Sequence, residues 1–154
     1  MAKQQEYGMK WYKFLIYFML WFNAAVNIFG AVPYFTGSIY QSPMQVYTQY
    51  PLMETVDFAT GCGFVLLGIF AIITRSRLAN FKKSGPGCLY SLYFYGNIIL
   101  PLAYNICALS VVGTSNDILL YITSPTTIGI IVGTFVAVFI NRVYFKKRED
   151  LFDE

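Results

Sequence analysis

The side chains able to do chemistry in this chain are few: three cysteines, eight acids, thirteen tyrosines and no histidine. Without histidine, and with Cys62, Cys88 and Cys107 showing no C-x-x-C spacing, the common zinc and thiol-redox patterns are absent. Cys62 and Cys107 both fall towards the same end of their apolar runs, and they are expected as packed free thiols rather than a disulfide. A serine or tyrosine nucleophile would need a positioned base, and Asp57 is the only acid close to an apolar run. The chain therefore reads as non-enzymatic, with no catalytic residue, no metal ligand and no cofactor. What remains is amide and phenol chemistry: Asn23, Asn27, Tyr93, Asn97, Tyr104 and Asn105, together with Pro101 and Asp57, could line a solute pathway or tie helices together by hydrogen bonds.

The elements that position these groups are membrane spans. A composition of 56% apolar and 12% charged residues, with mean hydropathy +0.51, is too oily for a soluble surface of 154 residues. Four runs meet the usual requirement of about 20 mostly apolar residues, at roughly 14–32, 55–74, 89–112 and 125–143. Their spacing leaves no room for a soluble domain, so residues 1–154 are expected to form one transmembrane unit. Runs this long, without alternating polarity, are helices rather than barrel strands, because backbone in hydrocarbon must satisfy its own hydrogen bonds. The expectation is an all-α membrane protein, a four-transmembrane-helix bundle.

Charge sets its orientation. The eleven basic residues are Lys3, Lys10 and Lys13, then Arg75, Arg77, Lys82 and Lys83 in one loop, then Arg142, Lys146, Lys147 and Arg148. The loops Ala31 to Glu54 and Ser110 to Ser124 contain none. Lys and Arg resist translocation, so both termini and the 75–83 loop are expected in the cytoplasm. The same clusters suit anionic lipid at the inner surface better than nucleic acid. A cleavable signal peptide is not expected at the first run, which is longer than about 7–15 residues and is interrupted by Asn23 and Asn27.

Helical periodicity assigns faces. In the first span Phe14, Phe18, Trp21, Phe22 and Phe29 share a lipid side, while Asn23, Asn27 and Gly30 share the other. The loop from Pro33 to Pro51 has several tyrosines and no charge; it reads as an interfacial hairpin with a short helix opened by Ser42-Pro43, or as a binding lid. The second span carries Glu54, Asp57, Gly61 and Gly68 on one face, the glycines as helix-packing positions and the acids in first turns where the helix dipole stabilises them, with Asp57 solvated at the interface. Ser84 to Gly87 is a turn into the third span and lacks the Lys-Ser/Thr ending of a phosphate loop. In the third span Tyr90, Tyr93, Asn97, Pro101, Tyr104 and Asn105 form a polar stripe with a kink at Pro101. Its two amides, Asn97 and Asn105, and the first span's pair, Asn23 and Asn27, are expected to face protein. The fourth span reads Gly129-x3-Gly133-x3-Ala137-x3-Asn141, small residues that let another helix approach, within the bundle or across a homo-oligomer or partner contact; Phe135 and Val138 are expected in lipid.

The stretches Lys10-Trp-Tyr-Lys-Phe-Leu-Ile-Tyr-Phe18, Thr36-Gly-Ser-Ile-Tyr40 and Arg75-x-Arg-Leu-Ala-x-Phe-Lys-Lys83 together resemble a group of small uncharacterised four-span bacterial membrane proteins. Some of that group carry an added zinc ribbon, which this chain lacks. The resemblance implies four spans in a bacterial plasma membrane and no activity. Two functional readings follow from the residues. The small-residue stripe of the fourth span favours a packed, non-catalytic subunit or scaffold of a membrane assembly; the polar stripe with Asp57 favours a small oligomeric channel or solute carrier.

Overall fold

The computed structural model describes residues 9–114 and 116–152, so Lys3, Glu6, Asp153 and Glu154 lie outside the described residues. Among the described residues every regular element is helical. Four long helices, α1 (Lys10–Thr36), α3 (Pro51–Ala79), α4 (Gly85–Val112) and α6 (Pro125–Lys146), are each long and apolar enough to cross a membrane. Two short helices, α2 (Pro43–Gln49) and α5 (Asn116–Ile122), fill the connections at one end, and a 3-10 turn (Glu149–Leu151) closes the chain. The end holding α2 and α5 is called here the tyrosine end; the other, holding the described Lys and Arg side chains, is the basic end.

The helices outrun the hydropathic spans. α3 holds 29 residues, about 43 Å at 1.5 Å per residue, against a hydrocarbon thickness of about 30 Å. Hydropathy marks the oily centre, whereas backbone hydrogen bonding continues through polar ends. The helix-start signals act as read: proline occupies the first turn of α2, α3 and α6, and Ser124 Oγ accepts from Thr127 N at 3.2 Å. α1 departs from its expected limit by passing through Pro33 to a left-handed Gly37 at φ 68°. The two spans with a proline beyond their first turn, Pro33 in α1 and Pro101 in α4, also contain a wide turn, Leu15–Met19 and Tyr95–Ile99.

α1 and α3 pack along their lengths, α4 lies on α3, and α6 lies on α4 and α5. Glycine allows the first contact. A Cβ on Gly61 would stand 2.6 Å from the Phe35 ring, and one on Gly68 would stand 2.6 Å from Ile28 Cγ1 and 3.1 Å from the Ala24 carbonyl oxygen. Ala24, Asn27 and Ala31 of α1 are buried, while Phe14, Phe18, Trp21, Phe22 and Phe29 are exposed, so the aromatic side faces outward. Gly30, placed with the asparagines, has open space around it.

The core is concentrated at the basic end, where Tyr12, Leu15 and Ile16 meet Leu78, Leu89, Phe145 and Phe152. Ring contacts knit this end: Tyr12 stacks on Phe81 at 5.2 Å, and Phe152 lies 5.7 Å from Phe81 and 5.5 Å from Phe145. Phe81 takes a left-handed φ of 53°, a conformation that costs about 1–3 kcal/mol without glycine and persists where packing over-determines it. The Tyr12 hydroxyl donates to the Leu78 carbonyl, and Trp11 Nε1 donates to Asn141 Oδ1 at 3.1 Å, joining α1 to α3 and to α6. Arg75 Nε donates at 3.1 Å to Ile16 O within the wide turn of α1.

One face assignment is corrected. Asn97 is exposed rather than turned into protein. It lies inside the wide turn Tyr95–Ile99, and an i→i+5 turn breaks the uniform 100° phase on which the stripe was drawn. Of the contacts expected for Gly129 and Gly133, the one within the bundle is not made among the described residues: beyond its own stretch of helix, a Cβ built at either meets no atom within 4 Å. A four-residue step turns about 40° beyond a full circle, so the stripe winds round α6 from the exposed Gly129 and Gly133 to the half-buried Ala137 and the buried Asn141. The buried face is instead Thr127, Thr134, Asn141 and Phe145. Phe135, expected in lipid alone, also makes an edge contact with Phe94 of α4 at 5.3 Å.

Candidate functional site

At the tyrosine end the chain folds back over the start of α3. Gly37 makes this possible: its φ is positive, and a Cβ there would stand 2.9 Å from both Pro43 Cβ and the Tyr47 hydroxyl. The reversal brings Tyr40, just after the turn, and Tyr47, on α2, onto the second turn of α3. Tyr40 Oη donates to Asp57 Oδ1 at 3.2 Å and Tyr47 Oη donates to Oδ2 at 3.0 Å. The Tyr104 hydroxyl of α4 lies 3.4 Å from that of Tyr40, and the Tyr34 ring packs edge-on against Tyr104 at 5.2 Å. Asp57 is left 1% exposed.

This replaces the expectation of a solvated interfacial acid. The reason is tertiary: α2 covers the first turns of α3, and water is displaced by phenols. Both lid phenols hold their protons well above the ordinary tyrosine range. For Tyr40 the causes are burial first, then its contacts with Tyr104 and Asp57; for Tyr47, pushed up to about 12, they are burial, then Asp57, then Glu54. They therefore remain hydrogen-bond donors at neutral pH. The described Lys and Arg side chains stand at the other end, Arg75 about five turns further along α3, or roughly 27 Å away. A buried carboxyl group far from any basic residue is costly unless hydrogen bonds or a cation compensate it.

Beside this cluster lies a cavity of about 330 Å³ lined by Tyr34, Phe35, Tyr47, Phe58 and Glu54, among others. Tyr47 belongs to both: its hydroxyl donates to Asp57 and the residue lines the cavity. Aromatic faces beside acids attract positive charge, and nothing of basic character interrupts them.

The other amides are placed separately. Asn27 Nδ2 donates to Asn23 O at 2.8 Å and Asn23 Oδ1 at 3.0 Å, a pair that satisfies itself within α1. Asn105 Nδ2 donates to Pro101 O at 2.8 Å and to the Tyr121 hydroxyl at 3.0 Å, which fixes α5 to α4. Tyr93 is half-buried in the wall between α4 and its neighbours. Asp57 and Tyr104 thus belong to one cluster, and Asn23, Asn27 and Asn97 do not join it. Sequence reasoning did not single out Tyr34, Tyr40 or Tyr47. The available signal was a loop rich in phenols, free of charge, ending just before an acid. Cys62, Cys88 and Cys107 are all free thiols.

Comparison of the chain with protein-family models, with curated proteins and with solved structures finds no match.

Proposed function

We propose that this is a non-catalytic membrane protein of the solute-carrier class that binds a small cation at Asp57 beneath the Tyr40–Tyr47 lid. The observation that carries the reading is Asp57 itself: a carboxyl group, 1% exposed, held by two phenols and remote from the basic residues. An ionisable group at the edge of the bilayer core marks a binding or conduction site by default. The adjoining aromatic cavity, with Glu54 on its wall, is near the lower end of the usual size for small-molecule sites and suits sodium or a small organic ammonium ion. In this reading the tyrosine end faces outward and the basic end lies in the cytoplasm of a bacterial cell, following the Lys and Arg distribution.

The test is titration of purified protein in detergent with sodium, tetramethylammonium and a neutral isostere, read by intrinsic fluorescence and calorimetry, with flux measured in liposomes. Saturable binding of a cation should be lost in Asp57→Asn, which keeps an acceptor for the phenols but removes the charge. A wild-type protein that binds no cation, or an Asp57→Asn protein that binds as well as wild type, would sink the proposal. Orientation is tested by thiol labelling from outside at Ser42→Cys and Ser84→Cys in a background lacking native cysteines; labelling at Ser84→Cys alone would reverse it.

A packed-subunit role is the second reading, supported by the open Gly129 and Gly133 face of α6. It predicts a stoichiometric membrane partner, or a second copy, lost on Gly133→Leu.

A further inference from the structure

The basic end holds a second cavity, of about 440 Å³, between the start of α4 and the end of α6. Lys83, Arg142 and Lys146 line it, with Glu149 as the acid on its wall. Arg142 and Lys146 are four residues apart on one face of α6, a like-charge spacing that is destabilising by itself. Lys83 is brought up against them by the turn before α4. Among the described residues none of the three makes an ion pair, Glu149 included. Pro86, in the first turn of the 28-residue α4, also lines the cavity, so the positive end of that helix borders it. Behind the charges the cavity is walled by Phe145 and Phe152, both almost fully buried, and a low-dielectric wall strengthens attraction to an anion.

We infer that this cavity holds a phosphate group, supplied by the headgroup of an anionic lipid. Arginine offers a paired N–H fork to phosphate oxygens and the lysines add point charge. The lipid source is favoured by what lies beside the cavity. Phe139, one turn nearer mid-helix than Arg142, and Val143, one turn nearer than Lys146, are exposed on the same side of α6 as the two cations, so acyl chains can lie on them while the phosphate sits among the cations. This site is independent of Asp57, which lies at the opposite end of the bundle.

The experiment is native mass spectrometry of the full chain released from detergent, with phosphatidylglycerol, phosphatidylcholine and inorganic phosphate as probes. Wild type should retain phosphatidylglycerol in preference to phosphatidylcholine. Arg142→Gln with Lys146→Gln should weaken that retention about tenfold or more, from about 1 kcal/mol per basic residue at a lipid surface. Lys10→Gln with Lys13→Gln removes equal charge from α1 and should leave it unchanged. Should the cavity pair fail to fold, Lys83→Gln, in the turn outside the helices, gives the same comparison with a smaller effect. Displacement of the lipid by inorganic phosphate at similar concentration would support the phosphate site and assign it to a soluble ligand. Equal losses in the cavity and control pairs, or no loss in the cavity pair, would overturn the inference.

Discussion

Alanine substitution at the glycines of α3 and α6 measures which helix faces are packed. A Cβ at Gly68 would stand 2.6 Å from Ile28 Cγ1 and 3.1 Å from the Ala24 carbonyl oxygen. Ile28 is partly exposed and can rotate away, but the carbonyl belongs to the backbone of α1, so the two helices must part by a few tenths of an ångström. Overpacking of this kind costs about 1–3 kcal/mol. Replacing glycine by alanine within a helix returns about 1 kcal/mol. Gly68→Ala is therefore expected to destabilise by about 1 kcal/mol net, a fall of roughly 2–4 °C in Tm for a chain of this size. At Gly133, beyond its own stretch of helix, no atom of the described residues lies within 4 Å of the new methyl. Only the helix gain remains, and Gly133→Ala should stabilise by up to about 1 kcal/mol. Gly63 falls between, because the atoms nearest its Cβ belong to the flexible end of Leu100, Cδ1 at 2.7 Å. Thermal unfolding in one detergent, followed by circular dichroism, gives the order Gly133→Ala, Gly63→Ala, Gly68→Ala from most to least stable. If Gly133→Ala is the least stable of the three, the reasoning fails, and a partner helix must be seated on α6.

Removing both lid hydroxyls with Tyr40→Phe and Tyr47→Phe takes two hydrogen bonds from Asp57, each worth about 1.5–3 kcal/mol to a charged group; limited proteolysis should then cut within 38–50 at least tenfold faster, and an unchanged rate would show that the lid is held by its ring packing. The Tyr47 phenol is raised to about 12, whereas an unfolded phenol ionises near 10. Its contribution should thus be complete below pH 10 and lost as the pH rises through about 12, visible as a late step in phenolate absorbance that is missing in Tyr47→Phe. Thr74 Oγ1 is buried without a hydrogen-bond partner among the described residues, so Thr74→Val, close in shape, should be neutral or stabilise by about 1 kcal/mol; a loss of Tm would reveal a partner for that hydroxyl.

Much of the architecture could be read from the chain because hydropathy and charge belong to single residues. The four apolar runs, the clustering of Lys and Arg between and beyond them, and the Ser-Pro helix starts are present before any contact forms. Gly61 and Gly68 were also legible as a close-packing face, since α3 is regular there and the 100° phase holds. The same phase misled wherever the helix was not regular or the spacing was not that of the helix. Asn97 sits in a wide turn that the sequence does not announce, and one inserted residue turns a helix face by about 100°. The Gly129 to Asn141 stripe winds out of the bundle face because four residues overshoot a turn. The burial of Asp57 is a property of pairs: it exists because Gly37 reverses the chain and brings Tyr40 and Tyr47 onto α3, three segments whose separate compositions describe only a polar loop and the exposed end of a helix. Tertiary structure alone decided that the acid is enclosed, since solvation of a side chain is fixed by what packs over it, not by its place along the span.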